Sequence, residues 1–396
     1  MRRHPLVLAL LATATAAVVP SLAPSASAAQ SSTGAAHSSK AVCAQVAAGY
    51  AHCDAHVVTK GDGVTPNATT TYTSGYAPAD LVNAYSIPTS TTTRTIAIVD
   101  AYASPTAASD LNTYRTGPAQ HFNLGPATLT QVNQDGGTTL PAGDTGWGQE
   151  EALDLDMASA ACPSCKILYV GANSASFADL STAVKTAAGL GATVISNSYG
   201  GSEYSGEVAA EAAYNHPGVA VTVSSGDSGY GAQFPASSQY VVDVGGTALN
   251  RSSTARGFTE TAWSGGGSGC SAYVSKPTWQ HDTGCARRMG SDVAAVADPN
   301  TGVAVYDSYG STGGANWLVF GGTSVAAPLV GGMYAVASVT TAYPAATLYA
   351  AGASLYDVVS GSNGRCRRFP AYFCTAGNGY DGPTGNGTPH GTAALH

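Results

Sequence analysis

The chain has 396 residues, enough for one large or two medium domains; only 10% of them are charged, and the net charge is −8. An acidic, charge-poor surface argues against nucleic acid or anionic membranes as partners. At the N-terminus Arg2 and Arg3 precede an apolar run from Leu6 to Val19, and Ala26-Ser27-Ala28 forms a small-residue cleavage signal. Residues 1–28 therefore read as a secretory signal peptide, too short to anchor in a membrane, and no other stretch reaches spanning length. Losing Arg2 and Arg3 and no acid takes the net charge from −8 to −10. The mature protein is expected to be secreted, extracellular and monomeric.

Residues 29–75 are rich in Ala, Ser, Thr and Gly and read as a short exposed arm or remnant propeptide. From Tyr76 the pattern alternates. Helix Ala77–Tyr85, strand Thr95–Asp100 and helix Ala107–Tyr114 come first, followed by a polar segment to about Gly148. Next come a helix from Gln149, strand Lys166–Gly171, helix Phe177–Leu190, strand Thr193–Ser198, helix Glu207–Asn215, and strands Val219–Ser224 and Tyr240–Val244. The strand runs are β-branched and almost unbroken by polar residues, as in strands covered on both faces. This alternation predicts an α/β fold: a doubly wound, mainly parallel sheet flanked by helices, in one domain over residues 76–396. The eight cysteines fall in close pairs, 43/53, 162/165, 270/285 and 366/374. They suggest four local disulfides in an oxidising compartment, out of 105 possible pairings.

Chemistry concentrates at a few points. The run Trp317–Phe320 enters Gly321-Gly322-Thr323-Ser324-Val325-Ala326-Ala327-Pro328, and a small-residue helix leaves it. This tight strand-to-helix turn puts an accessible Ser324 at a helix N-terminus, where backbone N–H groups lack internal partners. That suits a nucleophile whose substrate develops an oxyanion, although a simple N-cap serine is the competing reading. Glu150 and Asp154 are i and i+4, so their carboxyls share one helical face. In a cleft such a pair shares a proton, and one acid becomes a base oriented by the other. Glu151 and Asp156 lack an acidic i+4 partner and are expected on the surface. Asp227, in Ser224-Ser225-Gly226-Asp227-Ser228-Gly229, follows a buried strand, where open α/β sheets bind ligands.

Two other triads are suggested by short motifs. Ala51-His52-Cys53 with Gly226-Asp227-Ser228-Gly229 mimics an all-β serine protease, which the alternation contradicts. Asp100 in Ile96-Ala97-Ile98-Val99-Asp100 with His390 mimics a subtilisin, but that histidine follows the serine in sequence. No histidine lies between His121 and His216, where the helix acids sit, so a carboxylate base is the better reading.

These motifs, in this order and with Phe234–Thr247, resemble the sedolisin family, the serine-carboxyl peptidases of subtilisin-like fold. The match runs from about Tyr76 to Leu395. The resemblance implies Ser324 as nucleophile, Glu150 as general base and acid, Asp154 as its orienting partner and Asp227 as the oxyanion acid. It implies acid-acting hydrolysis of protein or peptide substrates, by endo- or tripeptidyl cleavage. It also implies one structural Ca²⁺ on the side chains of Asp357 and Asp381 and the carbonyls of Val358, Gly377 and Gly379. About 45 residues between the leader and the core are too few for the family's large folded propeptide. A non-catalytic binding module of the same fold is the alternative.

Overall fold

The computed structural model describes Met1 and residues 37–117, 122–311, 314, 316–339 and 341–396. The leader expected at 1–28, Met1 aside, lies outside the described residues. Three short strands come first: β1 (Ser39–Ala41), β2 (His52–Cys53) and β3 (His56–Val58). Then follow α1 (Pro78–Tyr85), β4 (Thr95–Ala101), α2 (Ala107–Thr116), β5 (Thr128–Asn133) and α3 (Thr145–Ala161). Next are β6 (Lys166–Ala172), α4 (Phe177–Gly189), β7 (Val194–Asn197), β8 (Tyr199–Ser202) and α5 (Glu207–Ala210). The chain continues through β9 (Ala220–Ser224), β10 (Gln233–Phe234), β11 (Val242–Arg251) and β12 (Phe258–Ala262). After β13 (Gly269–Ser275) and β14 (Arg287–Gly290) come β15 (Val293–Val296), β16 (Val303–Tyr306), β17 (Trp317–Gly321) and α6 (Thr323–Ala337).

The main sheet has eight strands in the order β12-β11-β9-β7-β4-β6-β5, with β15 also beside β11. All its pairings are parallel except β11 with β12. Strand β4 shows why the sheet needs cover on both faces. Ile96 and Ile98 pack into the cluster that holds Leu153 and Met157 of α3 and Val330 of α6. Ala97 and Val99, alternating with them, pack with Leu180 and Val184 of α4. Both neighbours of β4 come later in the chain, so its C-terminal end, carrying Asp100, is a switch point. Among the described residues no helix is long and apolar enough to cross a membrane.

Three expectations change. The polar segment before Gly148 contains β5, whose alternating Thr128-Leu129-Thr130-Gln131-Val132-Asn133 suits the sheet's edge. The helix expected over Glu207–Asn215 is one α-turn, α5, followed by a 3₁₀ turn at Glu211–Ala213. Of the exposed arm expected at 29–75, the described residues 37–75 are exposed only in part. Ala51, Ala55 and Val57 are fully buried, β2 pairs with β8, and β3 pairs with β17. The four cysteine pairs are bonded as the spacing suggested.

Candidate active site

Helix α3 begins at Asp144, whose carboxylate caps it by accepting the Trp147 N–H at 3.0 Å. It packs along α6, and Glu150, Glu151, Asp154 and Asp156 are all buried. Glu151 and Asp156 are therefore not surface residues. A helix covered by the sheet on one side and by α2 and α6 on others has little solvent face, so the i+4 rule could not place them. Glu151 accepts the Ser104 N–H at 2.5 Å, and Asp156 accepts the Tyr306 N–H at 3.0 Å. The Glu151 carboxyl is a satisfied structural acceptor, its other oxygen taking the Gln131 amide, whereas Asp156 is bonded through Oδ2 alone.

Glu150 and Asp154 differ: no carboxyl oxygen of either has a hydrogen-bond partner within 3.5 Å among the described residues. Burial raises Glu150 well above the ordinary carboxylate range, and Asp154 and Asp100 raise it further, against the Ser324 hydroxyl, which favours the ionised form. Asp154 is raised by burial and by Asp100, with Ser198 and Glu150 pulling the other way. Asp100 is also buried without a partner, and burial pushes it up to about 8. It lies where subtilisins carry their aspartate, and it acts here as a third acid beside the pair. Unpaired buried carboxyls in one place are costly, and such clusters gather at functional sites.

Ser324 stands opposite, in the first turn of α6. Gly322 before it has φ +101°, a conformation that suits glycine. The serine is fully buried, not accessible as its sequence context suggested, because Asp54 covers it. Its hydroxyl donates to the Ser198 carbonyl at 3.3 Å, and its N–H donates to the Asp54 carbonyl at 3.1 Å. Asp227 is held by the same turn. Its Oδ1 accepts the Thr323 N–H and the Thr323 hydroxyl, each at 2.8 Å, while buried Oδ2 has no hydrogen bond and lies 3.6 Å from His56 Nε2. Burial, then the Asp54 charge, keep Asp227 protonated well above the usual range, against Thr323. Asp227 Oδ2 and the Asp54 carbonyl oxygen both lie within 2.6 Å of the point a Cβ on Gly322 would occupy. That carbonyl therefore accepts the Ser324 N–H and lies on the same side of Gly322 as the Asp227 carboxyl, without a hydrogen bond to it. Sequence reasoning missed Asp54, since it lies in a stretch taken for an arm; the β-branched Val57-Val58-Thr59 after it was the available signal.

His52 pairs with Asp54 (3.4 Å), and His390 stacks on Tyr356 while Asp100 bonds no partner among the described residues, so neither alternative triad forms. In the C-terminal region Asp381 Oδ2 accepts the Gly377 N–H and Asp357 Oδ2 the Gly379 N–H, each at 2.9 Å. Burial and then the neighbouring Asp357 charge help push Asp381 up to about 7, against the pull of its hydrogen bonds. The carbonyls of Val358, Gly377 and Gly379 accept no hydrogen bond among the described residues. No group of three or more His, Cys, Asp or Glu gathers as a metal cluster among those residues. Asp381 Oδ1 also accepts the Thr384 N–H and hydroxyl, so the oxygens this region offers are two hydrogen-bonded carboxyls and three unpaired carbonyls.

A model of the subtilase family matches residues 133–357, more than half of the chain. The chain belongs to the subtilase family. Kumamolisin of Bacillus sp. (strain MN-32) is 32% identical over 366 residues, covering 81% of this chain and 63% of the relative. Sedolisin of Pseudomonas sp. (strain 101) is 35% identical over 205 residues, 43% of this chain and 33% of the relative. The solved structure of Pseudomonas sedolisin, a serine-carboxyl proteinase complexed with two molecules of pseudo-iodotyrostatin, superposes with TM-score 0.67. It is 27% identical and covers 81% of this chain and 96% of that one. Within the subtilases, then, its place is in the sedolisin family. The chain spans less than two thirds of the length of these curated relatives.

Proposed function

We propose that the chain is a secreted serine-carboxyl peptidase that hydrolyses peptide bonds in acid. One observation carries the reading. The Asp54 peptide carbonyl accepts the Ser324 N–H close to the buried Asp227 carboxyl, with the Glu150–Asp154 pair buried beside the serine hydroxyl. Ser324 Oγ attacks the carbonyl carbon while Glu150, oriented by Asp154, takes its proton. Protonated Asp227 and the Ser324 N–H stabilise the oxyanion. Glu150 returns the proton to the leaving nitrogen, and water then hydrolyses the ester. Glu150 accepts a proton only while ionised and Asp227 donates only while protonated, so activity is expected on the acid side and to fade as Asp227 ionises.

The C-terminal donor set fits one structural Ca²⁺ on Asp357, Asp381 and the carbonyls of Val358, Gly377 and Gly379. Bound there, the ion would cross-link the tail by charge and would take no part in the chemistry. The leader-like N-terminus and four disulfides support export. The test is hydrolysis of a denatured protein at pH 4 by wild type and by Ser324→Ala. Turnover in wild type alone supports the peptidase, and no turnover in either supports a non-catalytic module.

A further inference from the structure

The stretch from Ala51 to Val58 runs through the cleft as an extended strand. Upstream, His52 pairs with Gly200 and Cys53 with Tyr199 of β8. At the serine, the Asp54 N–H donates to the Ser198 carbonyl at 3.2 Å, and the Asp54 carbonyl accepts the Ser324 N–H at 3.1 Å. Downstream, His56 and Val57 pair with Gly321 and Phe320 of β17. The segment is thus bonded on both sides of the Asp54–Ala55 peptide. Its carbonyl occupies the position given above to the reacting carbonyl, so the Asp54 side chain marks the pocket for the residue on the acyl side of the cut.

That pocket is small and specific. Asp54 is 1% exposed, and its Oδ2 accepts the Ser224 hydroxyl at 2.7 Å. Glycines form the wall: a Cβ on Gly200 would lie 3.5 Å from Asp54 Oδ2 and 2.4 Å from Gln233 Oε1, and one on Gly226 would lie 2.7 Å from Gln233. Gln233 therefore closes the pocket behind a short side chain. Among the described residues the one cation partner of Asp54 is His52, from the same segment, so the enzyme side reads the carboxyl through a hydroxyl.

We propose that this pocket selects an aspartyl side chain through Ser224, so that the enzyme cleaves after aspartate. The Asp54–Ala55 bond is the example built into the chain. This rests on the peptidase reading, with Ser324 as nucleophile. The step balances as hydrolysis. Ser324 Oγ bonds to the Asp54 carbonyl carbon, the C–N bond to Ala55 breaks with a proton passing to the Ala55 nitrogen, and water releases the new carboxyl from the serine ester.

The test uses the full chain, incubated in acid and analysed by mass spectrometry, and the peptide Ala-His-Ser-Asp-Ala-His-Val with variants carrying Ala, Leu or Lys in place of Asp. The expected results are a new N-terminus at Ala55, absent in Ser324→Ala, and kcat/KM at least about tenfold higher for the Asp peptide. Ser224→Ala should lower the Asp-to-Ala ratio of kcat/KM about tenfold, roughly one hydrogen bond to a charged group, and Ser224→Thr should restore it. Turnover that favours Leu or Lys, or an Asp-to-Ala ratio unmoved in Ser224→Ala, overturns the pocket assignment and leaves the peptidase intact. No hydrolysis of any peptide, nor of a denatured protein, overturns both.

Discussion

Gly332 of α6 lies against Ala161 of α3 so closely that a Cβ on the glycine would come 2.5 Å from the Ala161 Cβ and 3.1 Å from the Ala158 carbonyl. This contact sets the spacing between the helix of the two acids and the helix of the serine. Gly332→Ala is expected to force the helices apart and to cost about 1–3 kcal/mol, the usual range for overpacking. Thermal melting should detect that loss. Because Ser324 and Glu150 move apart, kcat should fall more than KM rises; an unchanged kcat would show that the spacing does not position the pair.

The serine and the acids should behave as a unit. Ser324→Ala and Glu150→Gln are each expected to lower kcat by about 10³-fold or more, with the double variant little worse than either. Asp154→Asn should cost less, since it orients the base without accepting the serine proton. Single-turnover rates on one peptide across the four proteins decide this, and additive losses would contradict it.

Asp227 should set the alkaline limb of activity. In the proposed mechanism it donates to the oxyanion only while protonated, so activity should fall as pH rises through its raised folded-state pKa. Asp227→Asn keeps a neutral donor and should move that limb to higher pH. Asp227→Ala should cost about 10²–10³ in kcat at the optimum. A pH profile of kcat for the three proteins checks both statements.

Stability should follow acidity in the same direction. Between the unfolded carboxylate pKa of about 4 and the folded value of about 8, Asp100 holds a proton in the folded chain that the unfolded chain has lost. Each such group removes about 1.4 kcal/mol of stability per pH unit as pH rises through that window. Melting temperature is therefore expected to fall from pH 4 to pH 8, and Asp100→Asn should flatten the fall. A melting temperature that rises over that range would show that the buried acids are ionised in the folded protein.

Calcium is expected to raise the melting temperature, since an ion bound to the native tail and not to the unfolded chain adds about 2.7 kcal/mol at a hundredfold excess over Kd. Asp381→Asn should remove the response to added calcium. Melting curves with chelator and with calcium measure it.

Much of this molecule could be read from its residues. The glycine turn before Ser324 and the i, i+4 acids on α3 located two walls of the site, because local geometry decides both. What stayed hidden depends on packing between distant elements. Glu151 and Asp156 looked solvent-facing until α3 proved enclosed by neighbouring layers. Asp54 looked like part of an arm, since its significance comes from β8 and β17, which lie well over a hundred residues away in sequence. Asp100 looked like another enzyme's aspartate, and only the structure sets it beside the acid pair.

The Cys43–Cys53 bridge has a topological effect. Both cysteines precede Asp54, so the bridge closes a ring wholly on one side of the Asp54–Ala55 bond. Scission there would leave no covalent tether between the ring and the body of the enzyme. The ring could then dissociate as one stiffened piece, whereas a bridge spanning the cut would have kept the two ends together. Departure would be governed by non-covalent contacts, chiefly the pairing of β1 with β3 and of β2 with β8, and so by dilution and not by redox state.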